Sequence, residues 1–237
     1  MTDAVKLAID DYYSREGMTP HQVASLFSSV AGVYDETWKA RKYTDPEFLS
    51  TSVADYFGEE KASSLRVLDI GSGTGMVAEE LRKRGIHNID GLDPSKGMRD
   101  EAMKKNVYRN YYLEFMDGHY IEDIGTDAYD CVVAAGTFNS GLLPCAALPE
   151  MIRAVKPGGL MCFGIFDSVF SSVPEYKHRL GPLMSRLEEQ GAWKLHDKVQ
   201  RKDSDMTGNP ETVYRYVIQA SEVHAASVFA SLPVVDP

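Results

Sequence analysis

Short apolar runs alternate with amphipathic stretches along this chain, and that alternation predicts a doubly wound α/β fold. The expected sheet is seven-stranded and mostly parallel, preceded by a helical segment. Three observations carry the prediction. The runs at 65–70, 129–135 and 160–166 are nearly continuous in apolar character, as suits strands covered on both faces. Between them, residues such as Leu148, Met151, Ile152 and Val155 recur at helical spacing. Breakers stand at the joints: Gly71, Gly73 and Gly75, then Gly85, then Pro157-Gly158-Gly159.

Residues 1–60 read as helical throughout. Thr19-Pro20 supplies a cap followed by proline at the first helical position, and Val23, Leu26, Phe27 and Val30 then mark one face. Residues 47–57 repeat the habit. The first strand, 65–70, runs into the glycine turn and a helix at 76–84, which Gly85 stops. A second strand at 88–93 precedes a helix opened by Pro94. The third is placed at 111–116, ending at Asp117-Gly118, and the fourth at 129–135. A helix at 145–155 leads to the fifth strand, 160–166. Pro174 opens another helix, with Tyr176, Leu180, Leu183, Met184 and Leu187 on one stripe. The candidates 193–200 and 212–220 form a terminal hairpin-like pair. The expected organisation is a helical lid at 1–60, a core at 61–225 and a tail at 226–237.

Composition narrows the function classes. The 237 residues carry 35 acidic against 25 basic side chains, a net charge of −10, and the basic clusters at 39–42 and 82–84 are short. A nucleic-acid partner would need lysines and arginines gathered on one face, so the charge argues against one. No apolar run reaches eighteen residues, and the first six residues lack the basic-then-apolar form of a secretory signal. Cys131, Cys145 and Cys162 form no CxxC pair and read as reduced core thiols of a cytoplasmic protein. No metal-ligand motif stands out. The charge gives no reason to expect a membrane partner, and the oligomeric state is not legible.

In an open parallel sheet, ligands settle at the carboxyl ends of the strands. That edge carries Gly71 to Gly75, Asp93, Asp117-Gly118 and residues 135–139. Glycines there let the backbone approach a ligand, and Asp93 can accept both hydroxyls of an adenosine ribose. The spacing Gly71-x-Gly73-x-Gly75 departs from the G-x-G-x-x-G of dinucleotide sites, and no P-loop occurs. Asp69, just ahead of the turn, suits an amine-bearing or cationic ligand better than a pyrophosphate. S-adenosylmethionine (SAM) is therefore favoured, with a nicotinamide cofactor as the alternative.

Residues 67–75 closely resemble motif I of the class I SAM-dependent methyltransferases. Gly91-Leu92-Asp93-Pro94-Ser95, with Met98, resembles that family's second-strand acidic motif, and residues 155–160 resemble its turn before the fifth strand. The resemblance covers about residues 65–166. Residues 140–145, Pro149-Glu150 and Val33-Tyr34-Asp35 narrow it within the family. It implies that Asp69 and Gly71 hold the amino-acid part of SAM, that Gly71, Gly73 and Gly75 form its floor, and that Asp93 takes the ribose. Asp117 would bond the adenine amino group, Met98 and Met116 would cover the ring, and Ala135 and Gly136 would line the sulfonium side. Tyr34 either closes over the cofactor or is a core aromatic.

Methyl transfer needs alignment of donor and acceptor, worth about 7–11 kcal/mol, and a general base only where a proton must leave. Tyr12, Tyr13, Tyr34 and Tyr43 are candidate walls of an acceptor pocket, with Thr137, Phe138 and Phe166 on the loops after the fourth and fifth strands. Asp167, Asn139 and His119 are the candidate catalytic residues, although Asp167 and His119 also read as exposed loop groups. The expected activity is methylation of a small-molecule nitrogen or oxygen. The alternatives are a protein methyltransferase and a non-catalytic SAM-binding module.

Overall fold

The computed structural model describes residues 12, 17–202, 209–223, 225–230, 232 and 233. Three helices lead: α1 (Pro20–Ala40), α2 (Asp45–Phe57) and the single turn α3 (Glu59–Ala62). Then come β1 (Arg66–Ile70), α4 (Met76–Lys83), β2 (Asn88–Leu92), α5 (Lys96–Lys105), β3 (Asn110–Tyr112) and β4 (Tyr129–Ala134). The chain continues through α6 (Ala147–Ala154), β5 (Val155–Phe166), α7 (Val169–Ser172) and α8 (Leu180–Glu189). It closes with β6 (Trp193–Arg201), β7 (Glu211–Ile218) and α9 (Ala225–Phe229). The sheet order is β3-β2-β1-β4-β5-β7-β6. Strands β1 to β5 pair in parallel, and β7 runs antiparallel to both β5 and β6. Order reverses between β1 and β4, which places the ligand crevice at their carboxyl ends.

Strand side chains alternate between faces, and both faces are covered. Leu68, Ile70, Val132, Ala134, Met161 and Phe163 point to the side of α6 and α8. Val67, Ile89, Cys131, Val133, Leu160 and Cys162 point to the side of α2 and α4. This double burial is why the strands read as continuous apolar runs. All three cysteines are free and buried. At the antiparallel edge, Trp193 stacks on Tyr216 with centroids 4.1 Å apart, and its Nε1 donates to the Met184 carbonyl at 3.1 Å.

Helix α1 starts where the sequence indicates, because Thr19 and Gln22 form a reciprocal capping box ahead of Pro20. It docks on the start of α5. Ser28 Oγ lies 2.9 Å from Ser95 Oγ and accepts from the Gly97 N–H at 3.0 Å. A Cβ on Gly97 would stand 2.3 Å from the Ser28 carbonyl oxygen, so only glycine admits this approach. Among the described residues, no helix is long and apolar enough to cross a membrane.

Three elements differ from the sequence expectation. The third strand pairs only from Asn110 to Tyr112, because its neighbour β2 ends at Leu92 and Pro94 has no N–H to continue a ladder. Strand β5 already begins at Val155, paired with Tyr129 across a register shift. Helix α8 begins at Leu180 and not after Pro174, since His178 adopts φ 61°, a left-handed conformation a helix cannot contain. Near the chain's end, α9 buries Val228, whose carbonyl accepts from Arg186 Nη1 at 3.0 Å.

Candidate active site

The turn after β1 is built by backbone geometry. Gly71 has φ +64°, and a Cβ there would stand 2.2 Å from Thr137 Cγ2 in the loop after β4. The N–H groups of Gly71 and Ser72 donate to the Leu92 carbonyl at 2.8 and 3.1 Å, locking the turn to the end of β2. The next residue, Asp93, accepts from the N–H of Gly73 at 3.1 Å and of Ser95 at 2.8 Å. Burial pushes its carboxyl up to about 6 despite those two donors. Asp69 lies deeper, 1% exposed, and accepts from the Tyr108 hydroxyl at 2.7 Å. Burial raises it to about 7, opposed by Tyr108 and reinforced by Asp93. Tyr111 donates to the Gly73 carbonyl at 2.9 Å, so two tyrosines brace the turn from below.

Beside this turn opens a cavity of about 750 Å³. Of the sequence candidates, Tyr34, Gly71, Gly73, Asp93, Met98, Met116, Ala135 and Gly136 line it, and so do Tyr43, Thr137, Asn139 and Phe166. The others stand elsewhere. Asp69 sits beneath the turn, and Gly75 caps α4 with φ +90°, facing Val107 and Tyr108. Asp117 and His119 are exposed and hold each other, Nδ1 to Oδ1, at 2.5 Å. The bond to Asp117 raises His119; for Asp117, slight burial is outweighed by His119, which holds the carboxyl below its usual value. Asp167 accepts from Gln200 Nε2 at 2.6 Å and Thr212 Oγ1 at 2.8 Å. Phe138 packs in the core between Phe163 and Tyr176, and buried Tyr12 donates to the Ser140 carbonyl at 2.8 Å. Tyr13 lies outside the described residues.

The opposite wall comes from α1. Phe27, Tyr34 and Trp38, spaced seven and four apart on one helix face, border the cavity. Their rings meet edge to face, and Trp38 lies 4.8 Å from the ring of Tyr43. Helical periodicity from Tyr34 finds Trp38, which sequence reasoning left out, and Phe27, which it placed on the helix face but not at the site. Next to Tyr34, Asp35 accepts from Thr74 Oγ1 at 2.5 Å and pairs with Lys105 Nζ at 2.5 Å. The N-terminal helix is thus tied to the glycine turn itself. Two polar atoms on cavity-lining residues, Thr137 Oγ1 and Trp38 Nε1, are buried without a partner among the described residues.

The fold and the crevice define a doubly wound α/β architecture with a ligand-sized cavity at its carboxyl edge, and the comparisons identify its class. The family model for a methyltransferase domain matches residues 41–201, and the chain belongs to that family. It is a SAM-dependent methyltransferase. The human Methyltransferase-like protein 27, the Williams–Beuren region protein, is 34% identical over 172 residues, covering 73% of this chain and 68% of that protein. That is the relative to which residues 140–145 and Val33-Tyr34-Asp35 point. A demethylmenaquinone methyltransferase of Renibacterium salmoninarum is 29% identical over 175 residues, covering 70% of each chain. The crystal structure of a TehB-like SAM-dependent methyltransferase from Corynebacterium glutamicum superposes with a TM-score of 0.57 at 18% identity, covering 80% of this chain and 98% of that one.

Proposed function

We propose that this methyltransferase acts on a nitrogen or oxygen of a small molecule enclosed between the N-terminal helices and the carboxyl edge of the sheet. The observation that carries the reading is the cavity. Its volume of about 750 Å³ lies within the usual range for small-molecule sites, and aromatic and aliphatic side chains form much of its wall. Among the described residues that line it, Arg41 is the one basic side chain, in a chain of net charge −10. The name of the demethylmenaquinone-methylating relative supports a small-molecule acceptor.

The residues fit the cofactor. Gly73 lines the cavity with bare backbone, its absent Cβ having only the Gly71 carbonyl oxygen within 4 Å, at 3.9 Å, and the Asp93 carboxylate keeps lone pairs for two ribose hydroxyls beyond its two backbone donors. Met98 and Met116, which line the cavity, would cover the adenine, and Ala135 and Gly136 would border the methyl group. SAM supplies a methyl group on a cationic sulfur, already activated for displacement. Tyr34 and Trp38 wall the site from above and exclude water. Tyr43, Thr137 and Phe166 border the acceptor, and Asn139 offers an amide to orient it. Asp69 fixes the turn through Tyr108 from beneath.

The test is incubation of pure protein with deuteromethyl-SAM and a metabolite extract, read by mass spectrometry, beside an Asp93→Ala control. A metabolite that gains the label only with intact protein is the expected outcome. Label confined to protein bands, with no labelled metabolite, would replace this reading with protein methylation.

A further inference from the structure

Helix α1 runs the length of the cavity, and its contacts order that wall. Near its start, a Cβ on Gly141 would stand 2.8 Å from Val23, and the His21 ring lies 4.7 Å from Phe115, beside Met116. In its second half, Asp35 accepts from Thr74 of the glycine turn. At its end Trp38 meets Tyr43, and a Cβ on Gly136, just past β4, would stand 2.8 Å from the Tyr43 hydroxyl. Arg41 caps this last turn, and its guanidinium lies over the Trp38 ring, 5.5 Å from the centroid. Trp38 is one helical turn past Tyr34, so the cation stands beyond the glycine turn, on the side of Gly136 and the methyl group.

Arg41 and Asp93 are the charged side chains among the described residues that line the cavity. Asp93 faces the N–H groups of Gly73 and Ser95 at the ribose end, which leaves a cation at the acceptor end. Arg201 stands outside this lining. It donates to buried Asp45 at 2.9 Å and to buried Glu211 at 2.7 Å, and it lies over the Phe48 ring. The groups beside Arg41 share its polarity. Guanidinium and indole N–H groups only donate, and Trp38 Nε1 and Thr137 Oγ1 are buried without a partner among the described residues. A ligand that suits this end brings lone pairs and negative charge. A protonated amine brings neither, and it would meet two cations, Arg41 and the sulfonium. Of the candidate bases, His119 is held by Asp117, and Asp167 by Gln200 and Thr212; neither lines the cavity. An acceptor that arrives ionised needs no base, and a carboxylic acid is ionised at neutral pH.

Resting on the small-molecule reading above, we propose that Arg41 binds the carboxylate of an organic acid and that this methyltransferase converts the acid to its methyl ester. The guanidinium holds one carboxylate oxygen, and the other forms a bond to the methyl carbon. The carbon–sulfur bond breaks, its electron pair remaining on sulfur in S-adenosylhomocysteine. Carboxylate and sulfonium charges cancel in this step, and no proton has to leave. Phe166, Val169 and Val173 line the same cavity and fit an acid with an apolar body.

The test uses the full chain, deuteromethyl-SAM and the metabolite extract, with the products then treated with mild alkali. Alkali releases the methyl of an ester as methanol and leaves ethers and N-methyl groups intact. Labelled methanol is the expected result. Labelled metabolites whose methyl withstands alkali overturn the ester and leave the small-molecule reading standing, whereas no labelled metabolite removes both. On the acid so identified, Arg41→Gln is expected to raise KM by about 10–100-fold, with part of the loss recovered by Arg41→Lys. An unchanged KM takes Arg41 out of the acceptor site. SAM carries a carboxylate of its own, so calorimetry compares S-adenosylhomocysteine with its decarboxylated analogue. Wild type and Arg41→Gln should lose affinity by the same factor when that carboxylate is removed. A loss confined to wild type would assign Arg41 to the cofactor and overturn the proposal.

Discussion

The glycine-turn wall of the cavity and the buried charged wall at the start of α2, which lies outside the cavity's lining, draw their parts from very different distances along the chain. Gly73 and Asp93, which hydrogen-bond each other, are 20 residues apart, on the ends of adjacent strands. Asp45 and Arg201 are 156 apart. The first wall is held by backbone N–H groups and left-handed glycines, and its carboxylates meet neutral donors. The second is held by buried charge, two acids on one arginine. A wall made of backbone tolerates side-chain change except at its glycines and at Asp93. A wall made of buried ions stands or falls with each partner.

The largest effect should come from Asp93→Ala. Two charge-assisted bonds to a ribose are worth roughly 1.5–3 kcal/mol each, so SAM affinity should fall at least about 100-fold. Calorimetry checks it, and a loss under threefold would remove Asp93 from the cofactor site. On the other wall, Arg201→Met should cost about 3–5 kcal/mol of stability by stranding buried acid, measured by urea unfolding. Adding Asp45→Asn and Glu211→Gln to that variant should recover most of the loss. Recovery by neither would mean that packing over Phe48, and not charge, carries the second wall.

A pH series separates the walls less drastically. Asp93 sits at about 6 in the cofactor-free protein, and the ionised form is the one that accepts two hydroxyls. SAM affinity should therefore weaken as pH falls below 6, by up to about tenfold per unit. The sign for stability is opposite. With a folded pKa above the ordinary 3.8, the cofactor-free protein keeps the Asp93 contribution below about pH 4 and loses it as pH rises through 6. Asp93→Asn should flatten both trends, and a pH-independent Kd in wild type would contradict the ribose role. The smallest effect expected is from Thr74→Val, which severs the bond to Asp35 that ties α1 to the turn. A loss of about 0.5–1.5 kcal/mol should appear as a few-fold rise in KM for SAM with kcat little changed. An unchanged KM would mean that Lys105 alone holds Asp35.

The contrast between the walls also explains what could be read in advance. Residues 67–75 and Asp93 were legible because a left-handed turn between a strand and a helix demands glycine, and the demand is met within a few consecutive positions. Doubly covered strands were legible from their unbroken apolar runs. Helix α8 was placed too early, because the stripe from Tyr176 to Leu187 is equally periodic whether or not His178 breaks the backbone. Phe138 stood beside Thr137 and Asn139 in the chain, yet its ring turned to the core against Phe163.

By itself the sequence determined the class of fold, the glycine turn and the acid after β2, since these are encoded by local backbone conformation and short spacing. Tertiary structure alone decided which polar groups face the cavity. It turned Asp117 onto His119 and Asp167 onto Gln200 and Thr212, and it brought Asp45, Arg201 and Glu211 together. The physical reason is that a side chain's partner across 156 residues is chosen by which charges burial leaves unpaired, and that is settled only when the strands and helices have packed.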